Sequence, residues 1–438
     1  MGALVTRLCA VVFALYLLFG QRWTIGASTG GRGTVSVLEL MFVTAAVGMW
    51  VFGGLAAGRP RAPRLLSITA GPFFVLLVAF PLLGVIVGGY DTRTLYSVIV
   101  VAVPLAVLAL AATATRYSVD VRRWVFLAIL GHGAYGVAQQ MYRLGVLPPG
   151  VWGWAASWDI RSQEAYDDLY ILTGRSTGLF INPNAFGLWS VLAVLFGALF
   201  LRGTPRVVAI ALGLLGVLGS QSRTAWLAAA LLGLAYAMTF LRSSKVARTG
   251  LGVGVVLLPV GLLLWLSGAL GRLVEEGALQ RLGSGIAGLT EGSSADANLA
   301  GRYEGWARAR EFAAEYTVGT LGPPQVEFGG SIDNQFVAYY VQGGPLLVAG
   351  FAFALLSPVL VLRGRLPGWW KVALMSGVIA LSSYTGNPID SPATGALAWL
   401  AAGLLVHEAV RDGVLRSNRS PLPRTRVSPR AAGERVGA

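Results

Sequence analysis

Apolar residues fill most of this 438-residue chain in long runs that are separated by short polar connections. A helix needs about 20 consecutive apolar residues to cross the hydrocarbon core of a bilayer. The recurrence of such runs predicts an all-α, polytopic transmembrane helical bundle with about twelve spans. The predicted spans are 3–20, 35–57, 66–88, 95–114, 123–142, 183–201, 205–220, 224–241, 249–269, 335–362 (with a break near Pro345), 370–386 and 392–409.

Composition and charge agree with this interpretation. Apolar residues make up 55% of the chain and charged residues 12%, against about 25% charged residues in soluble proteins. The arginines gather in alternate connections, such as 58–64, 202–206 and 242–248. Because basic loops stay on the cytoplasmic side, we expect a multi-pass plasma membrane protein with cytoplasmic N- and C-termini. The net charge of +14 is then a topology signal, and we expect no nucleic acid partner.

Two connections are much longer than the others, and this orientation places both outside the cell. Loops of this length beside compact helices are often functional. The segments that follow are 1–142 (N-terminal membrane helices), 143–182 (outer loop), 183–269 (central membrane helices), 270–334 (large outer loop), 335–409 (C-terminal membrane helices) and 410–438 (a basic, disordered cytoplasmic tail). The tail is rich in arginine, proline and serine, and it can contact anionic membrane lipids.

The second large loop contains a predicted amphipathic helix, 301–316, which we expect to lie on the membrane surface. At 100° per residue, one apolar face contains Trp306, Ala309, Ala313 and Tyr316. The opposite, solvated face contains Glu304, Arg308, Glu311 and Glu315. Arg302 joins the apolar face, so its guanidinium needs an anionic partner or a route to the interface.

Three arginines fall on the predicted outer side, namely Arg175, Arg223 and Arg302. A single arginine at a helix end commonly extends to the lipid headgroups. The outer side normally carries few basic residues, so three arginines there favour a shared role in one binding site. The planar guanidinium suits phosphate oxygens, so we predict a site for a lipid-linked diphosphate.

Polar residues also mark the starts of two predicted spans. Asn182 and Asn184 flank Pro183 at the start of one helix, where an N-cap and exposed N–H groups favour an anion. Simple helix capping explains the same residues. Asp333 and Asn334 begin the span at 335–362. Asp333 is either an N-cap or a general base for a sugar hydroxyl.

Other candidate chemistry is sparse. Cys9 is the single cysteine, and His132 and His407 are far apart in sequence. No internal disulfide or Cys/His metal spacing is present, so we expect no metal and no cofactor. The aromatic residues of the first large loop indicate either an interfacial belt or sugar stacking. They are Trp152, Trp154, Trp158, Tyr166 and Tyr170.

Four segments, taken in order, resemble the O-antigen ligase and polymerase-like superfamily of bacterial envelope proteins. They are "RSTGLFINPNAFG", "SQSRTAWLAAALLG", "GRYEGW" and "DNQFVAYYVQGGPLLVAG". The resemblance covers roughly residues 170–365.

The resemblance implies a metal-independent membrane glycosyltransferase of the GT-C type. Such enzymes pass a glycan from an undecaprenyl-diphosphate carrier to an acceptor glycan or lipid at the outer face of the plasma membrane, during polysaccharide biosynthesis. Arg175, Arg223 and Arg302 correspond to the diphosphate-contacting arginines. Asp333 stands where ligases carry a histidine base, which favours a polymerase or a related transferase. The predicted catalytic residues are Asp333 and Arg302; the predicted diphosphate-binding residues are Arg175, Arg223, Arg302, Asn182, Asn184 and Asn334.

Three alternatives remain open. A transporter or flippase of lipid-linked sugars also needs many helices, and it would make Glu39, inside the second span, central. A structural membrane partner would need no chemistry at all. A GT-C transferase that uses a monophosphate-linked sugar often carries acidic residues in its first outer loop, but residues 21–34 contain none.

Overall fold

The chain is helical throughout almost all of its described residues. The computed structural model describes residues 2–20, 24–25, 35–54, 61–88, 96–148, 150, 174–180, 182–240, 253, 297–322, 327–329, 332–362, 369–384, 386 and 392–417. The helices are α1 (Gly2–Phe19), α2 (Val37–Gly54), α3 (Arg61–Gly88), α4 (Tyr96–Arg116), α5 (Val121–Arg143), α6 (Pro183–Phe200), α7 (Gly203–Ser220), α8 (Arg223–Phe240), α9 (Ala297–Ala314), α10 (Gln335–Leu362), α11 (Trp369–Tyr384) and α12 (Pro392–Ser417).

Helices coincide with the predicted apolar spans wherever the structure describes them. Four of these helices, α1, α6, α7 and most of α10, are long and apolar enough to cross a membrane. Shorter apolar stretches lie in α2, α3, α4, α11 and α12. A largely helical chain with several such helices is suited to association with a membrane.

Several predictions lie outside the described residues. Apart from Val253, the predicted span 249–269 is one of them, as is the part of the large loop from 270 to 296. The same holds for the five aromatic residues of the first large loop, which lie within 151–173, and for the end of the tail, 418–438.

A short hairpin corrects the purely helical prediction. Thr24–Ile25 (β1) pairs antiparallel with Val35–Ser36 (β2), so that Thr24 lies opposite Ser36. The connection was predicted as a plain loop because strands this short carry no readable alternation of apolar and polar residues.

The basic tail begins later than predicted. We expected a disordered segment from residue 410, but α12 continues through Ser417. The reason is visible in the sequence, because Val410 and Val414 continue helical spacing and the first proline after the span is Pro421.

Hydrogen bonds and close contacts define two ends of the helical bundle. At the first, called the site end, the amide of Ser176 donates to the carbonyl of Gly219 (2.7 Å), joining the segment before α6 to the end of α7. At the opposite end, Arg122 at the start of α5 forms an ion pair with Glu408 of α12 (2.6 Å). Gly2 of α1 lies there too, against Tyr117.

The long helix α10 is broken near its middle, at the predicted position. Gly343 and Gly344, directly before Pro345, leave helical geometry. The break exposes carbonyl groups that would otherwise accept bonds within the helix. The segment 317–322 replaces those bonds: Thr320 N donates to Val341 O (2.8 Å) and Leu321 N to Gln342 O (2.9 Å).

Candidate functional site

Arg175 joins three elements at the site end. Its Nε donates to the carbonyl of Ser220 (2.9 Å), and its Nη2 donates to Oδ1 of Asn184 (2.7 Å). Ser220 is the last residue of α7, and Asn184 lies in the first turn of α6. The structure therefore brings two predicted site residues, Arg175 and Asn184, into direct contact. It also gives the half-buried Arg175 a positioning role within the protein.

Two glutamines hold the segment that carries Arg175. Gln140 Nε2 donates to the carbonyl of Gly174 (3.1 Å) and to the hydroxyl of Ser176 (2.9 Å). Gln139 Oε1 accepts from the amides of Thr177 and Gly178, both at 2.9 Å. Neither glutamine was predicted as a site residue from the sequence. Their signal is a pair of amide side chains inside an otherwise apolar helix, where unpaired polar groups are costly.

A tight turn after α7 positions Arg223. Gln221 adopts left-handed backbone geometry (φ 48°), and its side chain donates to the carbonyl of Gly174 (2.7 Å). The amide of Ser222 donates to the hydroxyl of Ser220 (3.2 Å). Arg223 follows directly as the first residue of α8, and it is half-buried. Arg223 therefore lies three residues after Ser220, whose carbonyl accepts the hydrogen bond from Arg175.

Asn182 is the N-cap of α6. Its Oδ1 accepts from the amide of Ala185 (2.8 Å), and Pro183 occupies the first helical position. This is the predicted cap, and the positive end of the α6 dipole lies at this point. A role in binding diphosphate stays a prediction.

Arg302 and Asp333 form the second polar cluster of the site end. Their Nη2 and Oδ2 atoms are 3.7 Å apart, which is an ion pair beyond hydrogen-bonding distance. The Arg302 side chain is 24% exposed and the Asp333 side chain 51%. The anionic partner expected for Arg302 is therefore Asp333. The carboxylate itself remains accessible from outside the protein.

Helix α9 holds Arg302 in place by packing against α10. Trp306, Ala309 and Ala313 are buried, and they share an apolar cluster with residues near the start of α10. Tyr316, which we expected on the same face, is 40% exposed. We predicted that this face would lie on the membrane surface. That prediction was wrong because the apolar start of α10 covers it; the partners are Ile332, Val337, Ala338 and Val341.

Asn334, rather than Asp333, caps α10. Its Oδ1 accepts from the amides of Phe336 (2.9 Å) and Val337 (3.1 Å). The capping alternative for Asp333 is therefore wrong. Asn334 thus satisfies two of the amides at the start of α10.

Three aromatic residues lie beside the Arg302–Asp333 pair. The hydroxyls of Tyr303 and Tyr384 are 3.1 Å apart, and Trp306 meets both rings edge to face. Tyr303 is 40% exposed and Tyr384 is 45% exposed. This cluster of three aromatic residues was not predicted from the sequence. The two tyrosines are 81 positions apart in the chain, so local spacing gives no signal.

Gly386 connects the two polar clusters. Its carbonyl accepts from the amide of Gln335 (3.1 Å), two residues after Asp333. A Cβ on Gly386 would lie 3.4 Å from Leu188, which is one turn beyond Asn184 on the same face of α6. The starts of α6 and α10 and the end of α11 are therefore neighbours.

Glu39 has a local structural role. The amide of Ser36 donates to Glu39 Oε2 (2.9 Å), and the amide of Leu38 donates to the Ser36 hydroxyl (3.2 Å). This reciprocal pattern is a capping box at the start of α2. Tyr16 completes it by donating to Glu39 Oε1 (3.4 Å).

No protein-family model matches this chain, and no curated protein sequence matches it.

Proposed function

We propose that the protein is a membrane glycosyltransferase. It transfers or polymerises glycan from an undecaprenyl-diphosphate-linked donor onto an acceptor sugar at the outer face of the plasma membrane. The observation that supports this most is the juxtaposition of Arg302, an accessible Asp333 and the exposed rings of Tyr303 and Tyr384. A cation, a carboxylate and aromatic faces are the groups that a sugar diphosphate and a sugar hydroxyl need.

In this proposal the arginines bind the diphosphate. Arg223 is the first residue of α8, and Arg302 of α9 faces Asp333 just before α10. The dipoles at the starts of α6, α8 and α10 add positive potential at the site end. Arg175 holds its own segment against α7 and α6 through Ser220 and Asn184. As the glycosyl bond to the diphosphate breaks, the leaving phosphate oxygen takes the electron pair. Arginines that are already in position stabilise that charge.

Asp333 acts as the general base. The acceptor hydroxyl attacks the anomeric carbon, a new carbon–oxygen bond forms, and the hydroxyl proton passes to the Asp333 carboxylate. The half-exposed carboxylate is reachable by an acceptor from outside the protein. The exposed faces of Tyr303 and Tyr384 offer apolar surfaces on which a sugar ring can stack.

The proposed architecture is a GT-C-like bundle of about twelve spans with cytoplasmic termini. The arginine-rich opposite end, with Arg116, Arg122 and Arg123, then faces the cytoplasm. The orientation of the site end towards the outside follows from this charge distribution.

The second candidate is a transporter or flippase of lipid-linked sugars. It would place its central polar groups near the middle of the membrane. Glu39, the acid that this alternative needs, belongs to a capping box in the first turn of α2. That geometry favours the transferase.

The test is a reaction of purified protein in liposomes with a lipid-diphosphate glycan donor and an acceptor glycan. We expect longer or newly attached glycans with the wild type, and strongly reduced transfer with Arg223→Ala and with Arg223→Lys. The lysine variant fails because an ammonium does not reproduce the guanidinium fork. Glycans that change leaflet without changing their covalent partner would instead establish the flippase.

A further inference from the structure

A groove between α3, α4 and α12 lies outside the site described above. Its volume is about 560 Å³. Apart from His407, the residues that line it are glycine or apolar, including Phe74, Val78 and Leu108. The groove therefore suits a hydrocarbon chain that is contacted at a single polar point.

The mouth of the groove opens on the apolar outer surface of the bundle. Val75 is 66% exposed, Leu82 is 40% exposed and Leu105 is 48% exposed. Exposed apolar side chains of this kind face lipid in a chain that is suited to a membrane. The bilayer is then the immediate source of an occupant.

His407 indicates that this occupant carries a hydrogen-bonding group. Its side chain lines the groove and is 9% exposed, and its Nε2 has no hydrogen-bond partner among the described residues. A buried polar atom without a partner is costly. A plain hydrocarbon would leave that cost in place, whereas an ester carbonyl would accept a bond from Nε2–H.

The polar end of the groove also carries a positive charge. A Cβ on Gly403 would lie 2.9 Å from Ala111, and Glu408 pairs with Arg122 just beyond the end of α4. His407 therefore lies beside the last turns of α4. Arg116 is the last residue of α4, exposed and one turn beyond Ala112, which lines the groove.

We propose that this groove binds an anionic diacyl glycerophospholipid. One acyl chain fills the groove, His407 Nε2 donates to the ester carbonyl, and Arg116 lies beside the phosphate. From Gly71 to Leu82, α3 rises about 16 Å, which is the length of a typical acyl chain. The inference is independent of the proposed transferase, because the groove and the site end share no residue.

The test measures lipid retention by the detergent-purified full chain in native mass spectrometry. Two probes are compared: diacyl phosphatidylglycerol and its dialkyl-ether analogue, which lacks the ester carbonyls. For the wild type we expect about fivefold weaker retention of the ether lipid, as one hydrogen bond implies. His407→Leu should remove that difference, and His407→Gln, which keeps a donor, should preserve it.

Three further variants test the position of the site and its preference for an anionic lipid. Ala79→Trp places an indole in the groove and should abolish retention of one phosphatidylglycerol. Ala230→Trp, at an exposed position of α8, is the matched control and should retain it. Arg116→Gln should reduce the preference for phosphatidylglycerol over phosphatidylcholine by about fivefold, since the phosphate loses one cation.

Three outcomes would overturn the proposal. Equal retention of the ester and ether lipids by the wild type would remove the His407 bond. Full retention by Ala79→Trp would exclude the groove. No preference of the wild type for phosphatidylglycerol over phosphatidylcholine would exclude an anionic ligand. Thermal unfolding of each variant identifies misfolded protein; if His407→Leu unfolds, the wild-type comparison of the two lipids decides.

Discussion

At the scale of single residues, the two polar clusters differ in what their arginines already contact. Arg175 uses two of its donors on Ser220 and Asn184, inside the protein. Arg302 faces an accessible carboxylate at 3.7 Å. The first arginine is therefore chiefly a positioning residue, and in the proposed function the second belongs to the reactive surface.

Arg175→Lys should lower the free energy of unfolding by about 1–3 kcal/mol, because an ammonium cannot reach both the Ser220 carbonyl and Asn184 with the same planar geometry. Unfolding in mixed micelles measures the change. Arg202→Lys is the control, since Arg202 is exposed at the start of α7 and forms no side-chain cap there. Equal stability of the two variants would contradict the positioning role.

Only part of the chemistry around Arg302 is predictable from the sequence. Helical spacing alone placed Arg302 on the apolar face and predicted either an anionic partner or a route to the interface. The identity of that partner, the capping by Asn334 and the contact between Tyr303 and Tyr384 depend on how α9, α10 and α11 pack together. Spacing within one helix carries no such information.

At the level of helices and loops, the break in α10 is where this helix accepts hydrogen bonds from the segment 317–322. Gly344 has φ 59° and ψ −158°, a region that is essentially confined to glycine. A Cβ on Gly319 would lie 2.7 Å from the amide nitrogens of both Gly343 and Gly344. The sequence predicted the break from Pro345, but not that the segment 317–322, from the loop that precedes α10, would bond to it.

Gly319→Ala should therefore destabilise the protein by about 1–3 kcal/mol, since the new methyl group meets backbone and Gly319 has φ 82°. Thermal unfolding in detergent measures the loss. Gly301→Ala in α9 is the control, because a Cβ there meets nothing within 4 Å and alanine favours a helix. A Gly319→Ala variant as stable as Gly301→Ala would show that the loop does not depend on this close approach.

At the scale of the whole molecule, the bundle has two chemically different ends. The site end gathers Arg175, Arg223, Arg302 and Asp333, and the opposite end contains the Arg122–Glu408 pair. The positions and apolar character of the described membrane-type helices were readable from the sequence because each apolar run is a local property. The meeting of separate polar segments at one end depends on the packing of all the helices.

Labelling of single cysteines tests the proposed orientation. In a Cys9→Ala background, Glu304→Cys should react with a membrane-impermeant maleimide in intact cells. Asp120→Cys should react only after the membrane is permeabilised. Both positions are exposed and lie at opposite ends of the bundle. The reverse pattern, or equal labelling of both, would show that the site end does not face outward.

The role of Asp333 as the general base is tested most directly by glycan transfer in liposomes that contain the lipid-diphosphate donor. The experiment compares the wild type, Asp333→Asn and Asp120→Asn. Asp120 is the matched control, an exposed acid at a helix start with no side-chain cap bond. We predict that Asp333→Asn binds the donor but loses at least 100-fold in transfer rate, of the order that general bases contribute, whereas Asp120→Asn behaves as the wild type. Transfer by Asp333→Asn at the wild-type rate would contradict the assignment of the Arg302–Asp333 pair as the reactive centre.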